Sequence, residues 1–231
     1  MSVNNTEEEL TVTQDNELIS ASYAMSLNEK RLLVLALSKI DPMGKAWLEG
    51  GKAKVTAKEW SEVFGLDIKS SYKRLKKSAD NLYNRSIRIN GDNLNGERIR
   101  WLSAEKYNMN DGYVTVMFGR EILHYLSGMV DQFTSYKLLN VSGLKSTHSI
   151  RMYELVRQFI STGWRYIELD NLRYMLKIHN SYSHWRDLKK RVIERACMEI
   201  TEKSDLLLSY QPIKRGRSVH AIRIKIVKKD A

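Results

Sequence analysis

Along the chain, apolar positions fall into short runs of helical or strand period, and the helical runs come in two matching sets. VTAKEWSEVFGL, residues 55–66, spaces its apolar side chains as IELDNLRYMLKI does over residues 167–178. Trp60 answers to Leu172, Val63 to Met175, Phe64 to Leu176 and Leu66 to Ile178, at a constant offset of 112 residues. Past the following turn one residue is gained, so that Tyr72 matches Trp185, Lys73 Arg186, Leu75 Leu188, Lys76 Lys189 and Lys77 Lys190 at an offset of 113. Self-similarity at a fixed distance marks a duplicated structural unit. Two unrelated amphipathic helices would align in outline only.

The first copy opens with AMSLNEKRLLVLALSKIDP, where Ser26 and Glu29 form a capping box. Leu32, Leu33, Leu35, Ala36 and Ile40 supply the apolar face, and Pro42 is expected to stop the helix. GGKAK leads into a short strand, and Thr56 with Glu59 caps the helix AKEWSEVF. Gly65 lets the chain turn into a further helix that begins near Ser70. SIRIN and ERIRWLS flank the turn-rich NGDNLNG, and GYVTVMF adds a strand; this hairpin is expected to be a wing. A helix is expected over residues 131–141, and Gly143 marks the boundary.

The second copy repeats the order. A helix over residues 147–161 carries Ile150, Tyr153, Leu155, Val156 and Phe159, and the strand YIEL and helix LDNLRYML come after it. A long basic helix over residues 183–200 is next, then LLLSY, the turn KRGRS and HAIRIKIV. The pattern predicts an α+β chain of two tandem winged-helix domains related by internal duplication. A flexible acidic tail occupies residues 1–17, the first winged helix residues 18–142 and the second residues 143–231. Leu18, Met25 and Leu32 also stand seven apart, but Lys39 breaks the series, and core packing accounts for them better than a zipper.

Charge narrows the partner. The 231 residues hold 38 Lys and Arg against 27 Asp and Glu, a net +11, with 42% hydrophobic content. Residues 1–20 carry five acids and no Lys or Arg, whereas residues 184–229 carry thirteen basic residues against five acidic. A polyanion is the expected partner. No window approaches the roughly 20 apolar residues of a membrane span, and no secretory pattern opens the chain, so a cytoplasmic protein without membrane contact is expected. The single Cys197 excludes an internal disulfide framework.

On the basic helix of the second copy, Trp185, Leu188, Val192, Ala196 and Ile200 share one side, and Arg186, Asp187, Lys190, Arg191 and Glu194 the other. An exposed Arg on such a helix donates two hydrogen bonds to guanine in the major groove, while Lys mainly meets phosphate. Arg186 and Arg191 are therefore expected to read bases, and Lys189 and Lys190 to hold the backbone. In the first copy Leu75, Ala79, Leu82 and Tyr83 face inward, leaving Lys73, Arg74, Lys77, Ser78 and Asn81 outward. Lys214, Arg215 and Arg217 lie in a flexible turn able to reach phosphates or a minor-groove edge. A merely solvated basic face is the plainer alternative.

Chemistry is not encoded in any recognisable pattern, so no enzyme, cofactor or metal site is expected. A rolling-circle nickase needs two His one residue apart beside a nucleophilic Tyr, and the His here stand at 124, 148, 179, 184 and 220. GGKAK lacks the spaced Gly and the Ser or Thr of a phosphate-cradling loop. Cys197 lies at helical spacing beside the apolar side and reads as a packed residue.

Three long blocks carry a family resemblance: NELISASYAMSLNEKRLLVLALSKIDP, FTSYKLLNVSGLKSTHSIRMYELVRQF and DLKKRVIERACMEITEKSDLLLSYQPIKRGRSVHAIRIKI. Together they resemble the iteron-binding replication initiators of theta-replicating plasmids, the group that includes the F-plasmid initiator, nearly end to end. The resemblance implies tandem winged helices, monomers bound to repeats in an origin of double-stranded DNA, and recruitment of the host initiator protein and replicative helicase. It also implies a dimer, in equilibrium with the monomer, that represses the initiator's own promoter. Arg186, Lys189, Lys190 and Arg191 match the family's main major-groove helix, and the first domain's hairpin region is a candidate dimer surface. A dedicated transcriptional regulator of the same fold is the alternative.

Overall fold

The computed structural model describes residues 10–40, 50–89, 97–126 and 132–229. The chain forms two units, one of residues 1–18 and 25–143, the other of residues 19–24 and 144–231. No helix among the described residues is long and apolar enough to cross a membrane.

The first unit begins with β1 (Thr11–Asp15) and the opening residues of α1 (Asn16–Ser20), which passes into the second unit at Ile19. The flexible tail expected over residues 1–17 is thus corrected from residue 11 onward: β1 pairs antiparallel with β7 (Phe133–Lys137), Val12 opposite Tyr136. The helix expected over residues 131–141 is corrected with it, leaving only α6 (Leu139–Ser142) beyond the strand. Thr134 and Tyr136 face inward while Phe133 and Lys137 are exposed. That alternation has period two, and its partner lies far away in sequence, where local propensity gives no signal.

α2 (Leu27–Leu37) forms because both halves of the capping box close. The Glu29 amide donates to Ser26 Oγ at 3.3 Å and the Ser26 amide to Glu29 Oε2 at 3.1 Å. The helix is capped at Ser38, well before Pro42, which lies outside the described residues. Leu32, Leu33 and Val34 are fully buried, as are Leu18 in α1 and, at 8% exposure, Met25. The seven-residue series is core, as expected, and is split between α1, an irregular segment and α2.

β2 (Lys52–Thr56), α3 (Ala57–Phe64) and α4 (Ile68–Tyr83) pack against α2, and β5 (Leu102–Asn108) and β6 (Tyr113–Phe118) against α4. β2, β6 and β5 form one sheet with β6 central. A second hairpin, β3 (Ser86–Ile89) with β4 (Glu97–Arg100), is a separate two-stranded sheet. The expected wing is corrected accordingly: the hairpin that joins the three-stranded sheet is β5–β6, while NGDNLNG lies outside the described residues. α5 (Arg120–Leu126), unforeseen from sequence, comes after β6.

The second unit runs α7 (Thr147–Arg157), β8 (Trp164–Glu168), α8 (Leu169–Met175), α9 (residues 185–203), β9 (Leu206–Arg215) and β10 (Ser218–Lys228). Its sheet has the order β8-β10-β9. In each three-stranded sheet the earliest strand, β2 or β8, pairs with the latest, β6 or β10, which also pairs with the strand before it, β5 or β9. Trp60 and Leu172, and Leu75 and Leu188, are fully buried pairs. Both units are therefore winged helices, and the duplication seen in sequence is a duplication of fold.

Residues 19–24 belong to the second unit as a strap, held chiefly by Arg151 on α7. Arg151 Nη2 donates to the Ala21 carbonyl at 2.8 Å and to the Met175 carbonyl at 3.0 Å, and Nη1 to the Tyr23 hydroxyl at 2.5 Å. Its guanidinium lies 3.9 Å from the centre of the Tyr23 ring, Glu154 Oε2 is 3.7 Å away, and Arg151 is 2% exposed. A charge buried this deeply is tolerated because these partners replace its water. Ser22 Oγ adds a bond to the Tyr174 carbonyl at 2.7 Å.

Candidate nucleic-acid interface

In the first unit α3 and α4 meet at a tight turn, in the second residues 176–184 join α8 to α9, and in both the later helix presents its polar side to solvent. In the first unit Gly65, with φ 59°, closes α3, and Asp67 caps α4 by accepting the Ser70 amide at 3.0 Å. That backbone hydrogen bond holds the Asp67 carboxyl below its usual range. Leu75, Ala79 and Leu82 are fully buried, and Lys73, Arg74 and Lys77 are exposed. Asn81 and Tyr83 are half-buried. Ser78 is corrected: it is 3% exposed and gives its hydroxyl to the Arg74 carbonyl at 2.7 Å, a short side chain satisfied within its own helix.

In the second unit the turn before α9 is pinned by Arg173. Its guanidinium donates to the Tyr182 and Ser183 carbonyls at 3.4 and 3.2 Å and to Asp170 Oδ1 at 3.1 Å. Tyr182 itself has φ 56°. The basic helix expected from residue 183 starts at Trp185, after His184 as its cap.

α9 is not uniform. Trp185–Leu188 is α-helical, Lys189–Ile193 makes a π turn, and Glu194–Lys203 is α-helical again. A π turn inserts one residue and rotates the remainder of the helix about its axis. Leu75 and Ala79 of α4 answer to Leu188 and Val192 at an offset of 113, but Leu82 answers to Ala196 at 114. The buried stripe consequently moves onto Ile193, Ala196, Cys197 and Ile200, and Arg195 comes out on the surface.

Arg186, Lys190 and Arg191 are exposed as expected, the Arg186 side chain at 87%. Lys189 is half-buried, its side chain 44% exposed, and its Nζ lies 3.5 Å from Glu194 Oε1, which also accepts the Tyr210 hydroxyl at 3.3 Å. Tyr182, Arg186, Asp187, Lys190, Arg191 and Arg195 line one surface hollow. Arg195 is the cation that sequence phasing overlooked.

The wing is stiffer than expected. β9 and β10 pair as far as Arg215 opposite Ser218, leaving Gly216 and Arg217 as a two-residue turn, with Gly216 at φ 61°. Lys214 and Arg215 are therefore strand residues, a correction to the flexible turn, and all three cations remain exposed. A cleft between the start of α9 and this wing is lined by His184, Trp185, Arg173, Lys214, Arg217 and His220, among others. Cys197 is 7% exposed, and burial, with Glu194 adding to it, pushes its thiol up to about 12. It is a packed residue.

The sequence matches the family model described as "Initiator Replication protein, WH1" over residues 11–157 and that described as "Initiator Rep protein, WH2" over residues 168–226. An uncharacterized 27.6 kDa protein of Escherichia coli is 26% identical over 230 residues, covering 92% of this chain and 94% of that one. A replication initiation protein of Escherichia coli is 22% identical over 225 residues, covering 94% of this chain and 70% of that one. Among solved structures, the Pi initiator protein in complex with iteron DNA superposes with a TM-score of 0.85 at 22% identity, over 97% of this chain and 99% of that one. Domains 2 and 3 of RctB superpose with a TM-score of 0.54 at 12% identity, over 100% of this chain and 95% of that one. At these identities the structural likenesses speak for the fold.

Proposed function

We propose, from the premise that the chain belongs to the initiator replication protein family with its WH1 and WH2 units in tandem, that it binds repeated double-stranded sites in a plasmid origin. The observation that carries this reading is the exposed row Arg186, Lys190 and Arg191 on a helix whose opposite side is fully buried. Such a helix is shaped to enter a major groove. The Pi initiator protein, solved with iteron DNA, shares the fold, which supports repeated double-stranded DNA as the ligand.

In this reading Arg186 and Arg191 donate to base edges. Lys190 and the wing cations Lys214, Arg215 and Arg217 neutralise phosphates. Lys73, Arg74, Lys77 and Asn81 on α4 serve the first unit's contacts, and Lys189, half-buried beside Lys190, joins it on the backbone. Monomers occupy the repeats and bring the host initiator protein and replicative helicase to the origin. A dimer, formed through the first unit, occupies an inverted repeat at the promoter.

The test is protection of the duplex that flanks this coding sequence, where direct repeats are expected. A monomer is expected to shield one continuous stretch of about two helical turns, each unit meeting a major groove one turn from the other's. A single short half-site per monomer would overturn the two-unit reading. Maintenance in a host of a small circle bearing only this gene and its repeats separates initiation from repression alone. Loss of the circle despite intact repeat binding would leave a dedicated transcriptional regulator.

A further inference from the structure

The π turn of α9 has a consequence for which bases are read. Carried at about 100° per residue from Leu188, an unbroken α-helix would return Arg195 to within about 20° of Leu188, against the core. The inserted residue instead takes Ile193, at 0% exposure, into the core and leaves the Arg195 side chain 57% exposed. Arg195 then shares its hollow with Arg186, Lys190 and Arg191.

Arg195 is also held. Its Nε lies 3.7 Å from Glu199 Oε1, and the Glu199 side chain is only 13% exposed. Glu199 Oε2 in turn accepts the Lys145 amide at 3.3 Å, which fixes the carboxylate at the end of α9's polar side. A carboxylate beside Nε draws that edge of the guanidinium toward Glu199 and leaves the two Nη groups to face outward, the pair that bidentate recognition of guanine uses.

We propose that Arg195 is a specificity-determining residue, donating to a guanine in the major groove at a base position separate from those of Arg186 and Arg191. The inference rests on reading α9 as the DNA-entering helix. At a rise of about 1.5 Å per residue, Arg195 lies roughly 13 Å along α9 from Arg186, on the order of four base pairs at 3.4 Å each. The π turn is what gives the helix this third reading position.

The experiment selects binding sites from a pool of randomised duplexes about three helical turns long, using the full chain, Arg195→Ala and Arg195→Lys, each checked for an unchanged melting temperature. The wild-type chain is expected to select a consensus. Both variants are expected to lose preference at one G·C pair while keeping the others, and Arg195→Ala to bind the consensus about 5- to 150-fold more weakly. Arg195→Lys separates base reading from phosphate holding. A lysine restores a phosphate contact and its salt dependence but not a two-bond match to guanine. An unaltered consensus with either variant, or full rescue by Lys, overturns the assignment of Arg195. If the wild-type chain selects no consensus at all, the reading of α9 itself fails.

Discussion

Glu105 on β5 lies beside Asp80 of α4, and burial first, then the negative charge of Asp80, push its carboxyl from 4.5 up to about 7. A folded-state value above the unfolded one favours the folded chain fully below pH 4.5, and that contribution is lost as pH rises from 4.5 toward 7. Glu105→Gln is therefore expected to stabilise the protein at pH 8 by about 1 kcal/mol after allowance for solvent screening. Melting curves at pH 4 and pH 8 check this, since the gain must vanish at the lower pH. Cys197 gives a second residue-level expectation: with its thiol near 12 and buried, a maleimide at pH 8 should label the native chain far more slowly than the chain in denaturant. Equal rates would show the packing to be wrong. At this scale the exposed cations were legible, because charge on the polar side of an amphipathic helix goes to water. Ser78 and Arg195 were not, since an in-helix hydroxyl bond and a π turn leave no mark on residue spacing.

Elements whose ends are chemically marked were readable directly. Ser26 with Glu29, Thr56 with Glu59 and Gly65 each fix a helix end by a local hydrogen bond or a local torsion. Gly65 sits at φ 59° and an added Cβ would meet nothing within 4 Å, so Gly65→Ala is expected to cost only torsional strain, about 1–2 kcal/mol. Denaturant titration measures it, and a much larger loss would mean that the added methyl meets a neighbour after all. The wing makes a different expectation. Removing Lys214 and Arg217 together should weaken all duplexes alike and flatten the slope of log affinity against log salt by about 2. A change in preferred sequence instead would move the wing from holding phosphates to reading bases. β1 and β7 escaped sequence reading because neither is a strand by itself: each is one only through the other, across most of the first unit.

For the whole molecule, the tandem arrangement of two winged helices was visible as an offset between two stretches of sequence. What the offset could not show is that residues 19–24, read from sequence as part of the first winged helix over residues 18–142, belong to the second unit. The reason lies in Arg151, whose buried guanidinium finds two of its acceptors, the Ala21 carbonyl and the Tyr23 hydroxyl, in that segment. A fragment beginning at Leu144 is therefore expected to lose several kcal/mol in denaturant melts relative to the same unit in the intact chain, since a buried charge would be left short of partners. Replacing Arg151 by Met in that fragment should recover part of the loss. Equal stability of fragment and intact unit would show the strap to be dispensable.

The strap also sets an order of events during synthesis. As the chain leaves the ribosome, Ile19–Ala24 emerges early, yet Arg151 and the Tyr174 carbonyl that receive it are translated more than a hundred residues later. The bonds that hold this segment in the second unit therefore cannot close until the whole of the intervening winged helix has been made.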